Sequence, residues 1–179
     1  PTGPFRALDE YVFDVRMPDG RLAKAEDPYV WFHPGSNLFY AVFKDFSGRV
    51  TQSNPGLALM TSSDGIHWGI AEEPLFSRLQ LVFEDGTKVK IAHLERPQLL
   101  VDQNGMPQAF YAACSLDPVG RKTDGSTFNV QMRVRVSRAR RTHRAPNNSG
   151  MRTILQISRI NRMGRAIRWN RRSLRVKFL

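Results

Sequence analysis

Residues 25–45 read Ala-Glu-Asp-Pro-Tyr-Val-Trp-Phe-His-Pro-Gly-Ser-Asn-Leu-Phe-Tyr-Ala-Val-Phe-Lys-Asp. Two apolar, aromatic runs, residues 29–32 and 38–43, flank the turn sequence Pro34-Gly35-Ser36-Asn37. Such a pattern predicts a β-hairpin. Its outer ends carry charge, with Glu26 and Asp27 at the entry and Lys44 and Asp45 at the exit. Pro28 holds the residue before it extended and withholds a ladder donor, so Asp27 belongs at a strand entrance. A carboxylate there either caps a solvated turn or lines a cleft, and the hairpin by itself leaves both open.

Outward from the hairpin, turn dipeptides recur at Asp19-Gly20, Asp64-Gly65, Asp85-Gly86, Asn104-Gly105 and Asp124-Gly125. Between them lie short apolar or alternating runs at residues 11–15, 56–61, 79–83, 98–101 and 109–113. The cleanest alternation sets Phe128, Val130, Met132, Val134 and Val136 against Asn129, Gln131, Arg133, Arg135 and Ser137. No helical period emerges in residues 1–125. The chain therefore reads as an all-β body of short antiparallel strands, either a sandwich or a β-propeller.

Net charge separates two segments. The total is +11, yet residues 1–132 hold 12 Lys and Arg against 16 Asp and Glu, whereas residues 133–179 hold 15 Lys and Arg and no acid. An electrostatic argument for nucleic-acid binding can concern only this second part. The reading gives a body at residues 1–137 and an arginine-rich tail at 138–179, poorly structured or partly helical, with nucleic acid as its minor partner class. The single cysteine, Cys114, has no partner for a disulfide, and the four histidines lack zinc-type spacing, so neither metal nor cofactor is expected. No run of about 18 apolar residues is present to form a membrane-spanning helix.

Residues 62–68, Ser-Ser-Asp-Gly-Ile-His-Trp, resemble the Ser-x-Asp-x-Gly-x-x-Trp turn of sialidase-type propellers, with the glycine moved next to the aspartate. That likeness implies that Asp64 caps backbone donors and that Trp68 wedges between blades. A second acidic stretch, His93-Leu-Glu-Arg-Pro-Gln-Leu-Leu, again sets a carboxylate close to a proline and ahead of an apolar strand. Both stretches deliver a carboxylate to the beginning of a strand, and a pair of facing carboxylates is what glycoside hydrolysis requires.

With these motifs in order, the chain resembles the five-bladed β-propeller glycoside hydrolases, the superfamily of arabinanases, levansucrases and invertases, and within it the proteins related to glycoside hydrolase family 43. Four stretches carry the resemblance: residues 26–28 with their hairpin, 63–68, 95–100 and 127–131. They span roughly residues 1–134. The resemblance implies that Glu95 is the general acid and that Asp27 either orients it and tunes its pKa or steadies the oxocarbenium-like transition state. It further implies Trp31 as a stacking surface for sugar, and Lys44, Asp45 and Arg96 as sugar contacts. The implied partner is an oligo- or polysaccharide, and the implied compartment is secreted or periplasmic.

Two departures qualify the match. The superfamily carries a third carboxylate, the base or nucleophile, on its first blade, and Asp9, Asp14 and Asp19 lack the expected proline or aromatic context. At about four strands of 5–6 residues per blade, 134 residues hold roughly two to three blades, so a partial propeller is expected, the C-terminal part of a longer hydrolase. The alternative is a non-catalytic carbohydrate-binding or interaction propeller piece.

Overall fold

The structure, a computed structural model, describes residues 3–4, 6–7, 9, 11–13, 16, 18–22, 24–52, 55–83, 85–117, 127–138, 151–161, 167–169 and 176–178. Strands β1 (Ala25–His33) and β2 (Leu38–Asp45) form the hairpin read from residues 25–45, with Val30 opposite Ala41 and Trp31 opposite Tyr40. Strands β3 (Gly56–Ser62) and β4 (Gly69–Arg78) continue it into a four-stranded antiparallel sheet of order β1-β2-β3-β4. A small hairpin follows, β5 (Gln80–Val82) with β6 (Lys88–Lys90). The second four-stranded sheet repeats the meander with β7 (His93–Val101), β8 (Pro107–Ser115), β9 (Thr127–Arg138) and β10 (Met151–Asn161). Two short strands, β11 (Ile167–Trp169) and β12 (Val176–Phe178), pair with each other. Among the described residues there is no helix, as the all-β reading requires.

The two sheets lie side by side in matching order, with β7 against β1 and β2, and β10 against β4. Strands β1 and β7 run in the same direction. Near their starts, Lys44, the cross-strand neighbour of Glu26, reaches Glu95. At mid-length Tyr29 Oη donates to the Leu99 carbonyl at 2.8 Å. At their far ends His33 Nε2 lies 3.0 Å from Met106 Sδ. Between the sheets sits the main core, with Trp31, Val42, Leu57 and Phe76 from the first, and Leu94, Phe110, Val130 and Met132 from the second. Leu81 and Ile91 close it beside the small hairpin. The first sheet is apolar on both faces. Its second face, with Ala41, Phe43, Ala58 and Met60, is covered by Val50, Phe13 and Trp68. Near-continuous burial along β2 and β3 follows from this double cover.

Each sheet opens with the same irregularity. One extra residue is inserted in β1 between Glu26 and Tyr29, and one in β7 between Glu95 and Gln98. In each, the residue just before the proline adopts a left-handed backbone, which corrects the extended conformation expected of Asp27: Asp27 at φ 51° and Arg96 at φ 52°. This conformation costs an L-residue with a side chain about 1–2 kcal/mol. Bulges of this kind interrupt strand pairing locally and redirect side chains.

Several local expectations change. Residues 11–13 are not strand, and the Asp19-Gly20 turn closes only an isolated bridge between Arg16 and Leu22. Strand β4 emerges from residues that carry Glu72, Glu73 and Pro74, where the ladder with β3 slips twice. The described residues of the expected poorly structured or partly helical tail, 138, 151–161, 167–169 and 176–178, are strand and not helix, and its other residues lie outside the described ones. In register with β9, each arginine of either strand faces a neutral residue: Arg133 faces Gln156, Arg135 faces Ile154, Arg138 faces Met151, Arg152 faces Ser137 and Arg159 faces Gln131. The Asp124-Gly125 turn lies outside the described residues.

Gly105 packs closely against the end of β1. Its φ is +73°, and a Cβ there would lie 2.5 Å from the Phe32 carbonyl oxygen and 2.9 Å from His33 Cα. Gly105→Ala is therefore expected to destabilise the fold by roughly 1–3 kcal/mol or more, through backbone strain and forced separation of the β1–β2 turn from the β7–β8 turn. Urea unfolding measures this, and an unchanged midpoint would refute the close packing.

Candidate functional site

Lys44 stands near the end of β2 and crosses to the second sheet, where its ammonium Nζ donates to Glu95 Oε1. The lysine side chain is 11% exposed and the glutamate 38%. Nζ also lies 4.1 Å from the centre of the Phe46 ring, a cation–π contact. His93 Nδ1 sits 3.5 Å from the same Glu95 oxygen. The hydrogen bond from Lys44 is the main cause that lowers the Glu95 pKa below its ordinary 4.5. Partial burial opposes the shift, and the charges of Lys44, His93 and Arg96 add to it. Glu95 is accordingly an ionised carboxylate at neutral pH.

Asp27 and Arg96 occupy equivalent places, the left-handed residue of each bulge, and both are exposed. Equivalence in the bulge also pairs Glu26 with Glu95, since each is the last in-register residue before its bulge. In the ladder Glu26 faces Lys44. The structure thus brings Glu95, Lys44, His93 and Glu26 to one end of the two sheets.

The other expected contacts are placed differently. Trp31 is only 6% exposed, stacks on Tyr40 with ring centres 5.3 Å apart, and belongs to the core instead of presenting a face to a sugar. Asp45 is 1% exposed and spends both oxygens on the following loop. Oδ1 accepts from the Ser47 and Gly48 amides, and Oδ2 accepts from the Val50 and Thr51 amides and the Thr51 hydroxyl. That aspartate organises residues 47–51. Asp64 does the turn work assigned to it: Oδ1 accepts from the Ile66 and His67 amides at 2.8 Å each, and Trp68 packs on Phe13 at 5.0 Å.

An open pocket of about 750 Å³ adjoins the ion pair. Its wall includes Tyr11, Phe13, Leu22, Lys24, Glu26 and Phe46, the last being the ring beneath Lys44. Sequence reading missed Glu26, His93 and Phe46 as members of this neighbourhood. A usable signal was present, because Glu-x-Pro recurs at residues 26–28 and 95–97 and aligns Glu26, not Asp27, with Glu95. Comparison with family models, with curated proteins and with solved structures yields no match.

The pairing has a defined pH signature. A carboxyl lowered in the fold contributes stability that is present above its ordinary value of 4.5 and is lost as pH falls through the lowered value. In Lys44→Met the Glu95 carboxyl is expected to titrate at higher pH by carbon NMR, and the acid limb of the stability profile is expected to be shallower. Superimposable titrations of the two proteins would show that Lys44 does not hold Glu95. Separately, Asp45→Ala strips acceptors from the buried Gly48, Val50 and Thr51 amides and is expected to cost at least about 3 kcal/mol, since each buried donor left unpaired costs about 1–3 kcal/mol. A loss under about 1 kcal/mol in urea unfolding would contradict the loop-organising role.

Proposed function

We propose that this chain supplies neighbouring blades of a β-propeller glycoside hydrolase acting on an oligo- or polysaccharide, with Glu95 as general acid and Asp27 as its orienting carboxylate. The observation that supports this reading is the matched pair of proline-bordered bulges at the starts of β1 and β7. They set both acidic stretches at one end of two strands running in the same direction, and the Lys44–Glu95 contact joins them. Blade-like features agree with it: each sheet is a four-stranded meander, and first strands pack beside first strands.

The reading carries a chemical requirement. A general acid must hold a proton at the working pH, so its pKa has to rise, whereas the Lys44 ammonium lowers that of Glu95. Catalysis by Glu95 thus requires the ammonium to be displaced as the saccharide arrives. Arg96, adjacent to Glu95 and exposed, is a sugar-contact candidate in the same reading. The ionised state of Glu95 favours a second reading in which the site binds saccharide hydroxyls as an acceptor and leaves the glycosidic bond intact.

Release of reducing ends from a panel of neutral oligosaccharides, by a longer protein in which a further blade supplies the base carboxylate, separates the two. Under the hydrolase reading, Glu95→Gln lowers turnover by about 10²–10⁴-fold, the usual contribution of a positioned acid. Turnover unchanged in Glu95→Gln would defeat the acid assignment. Saturable binding with no cleavage by the unsubstituted protein would favour the binding reading.

A further inference from the structure

The pocket beside the ion pair combines aromatic and apolar side chains with two charged ones. Tyr11, Leu22 and Phe46 are exposed hydrophobic side chains, at 81%, 47% and 43%. Phe46 belongs both to the pocket wall and to the underside of Lys44, so pocket and ion pair share one side chain. Glu26 is also on the wall and faces Lys44 across the β1–β2 ladder, while the Lys44 ammonium is engaged by Glu95. Lys24 and Glu26 place opposite charges on the wall, which suits a neutral ligand rich in hydroxyls. At about 750 Å³ the volume lies within the range of small-ligand sites, which combine apolar and aromatic walls with a few polar groups.

We propose that this pocket is a saccharide subsite in which the Phe46 ring supports the apolar face of a sugar and the Glu26 carboxylate accepts its hydroxyl hydrogens. The inference rests on the carbohydrate reading above and extends it, because it assigns to Glu26 a ligand contact separate from the acid role of Glu95. A carboxylate accepting from a hydroxyl makes a charge-assisted bond, so its loss weakens binding more than loss of a neutral acceptor. One lysine then separates two carboxylates, Glu95 engaged by the ammonium and Glu26 turned to the ligand.

Titration of the full chain with neutral di- to hexasaccharides, followed by saturation-transfer NMR and calorimetry, tests the assignment. Glu26→Gln and Phe46→Ala are each expected to weaken the best-bound oligosaccharide about tenfold or more. Leu100→Ser, at a side chain 55% exposed outside the pocket, is expected to leave binding unchanged. Since Glu26 and Phe46 are both exposed, these substitutions spare the core, and matching unfolding midpoints establish that the variants are folded. Wild-type affinity in both variants, with turnover still dependent on Glu95, would overturn the subsite and leave the hydrolase reading standing. Failure of every saccharide to bind or be cleaved would overturn both.

Discussion

The bond between Lys44 on one sheet and Glu95 on the other is the constraint around which the chemistry of this fold is arranged. Its two ends come from residues 51 positions apart in sequence, so it forms only when β2 and β7 are already packed. An ion pair between exposed groups contributes about 0.2–1 kcal/mol, and this one, with the lysine largely covered, has more to lose when broken than to gain when made. The apolar interior between the sheets carries the bulk of the stability, with Phe110, Leu57 and Leu94 fully buried there. What the ion pair adds is position: it fixes the carboxylate, its protonation state and its distance from the neighbouring strand.

The same packing explains the two bulges. A regular ladder would continue pairing through Asp27 and Arg96 and would point alternate side chains to opposite faces. Inserting one residue in each strand breaks that alternation at the same place, and the following proline prevents the ladder from re-forming through that residue. Each left-handed residue costs about 1–2 kcal/mol. Strain of this size recurs at functional sites when the surrounding structure over-determines it. Here it falls at the two strand starts beside the ion pair.

Much of this was legible in the chain. Residues 25–45 carry aromatic runs and a four-residue turn, and both strands form where they were read. Strand β4 was hidden because Glu72, Glu73 and Pro74 interrupt any alternation, and its pairing slips accordingly. Strand β10 was hidden for a related reason. Leu155, Ile157 and Ile160 fit neither period 2 nor period 3.6, yet a bulge after Ile157 brings Ile160 opposite Val130, as Leu155 is opposite Val134 and Ile157 opposite Met132. A bulge is a tertiary choice, and periodicity within one strand does not announce it. The resemblance implies Trp31 and Asp45 as ligand contacts, but burial depends on what the second sheet and the following loop cover, which no local pattern encodes.

The acidic pair at Glu26 and Asp27 shows where type and place part company. The resemblance gives the catalytic role to Asp27, the residue before the proline. Register decides otherwise for geometry: the ladder places Glu26, one residue earlier, across from Lys44 and level with Glu95 in the repeated meander. The Lys44 ammonium donates to Glu95, while Glu26 is its partner in the ladder and stands on the pocket wall. The proposed subsite accordingly gives the ligand contact to Glu26 and leaves the ammonium to Glu95.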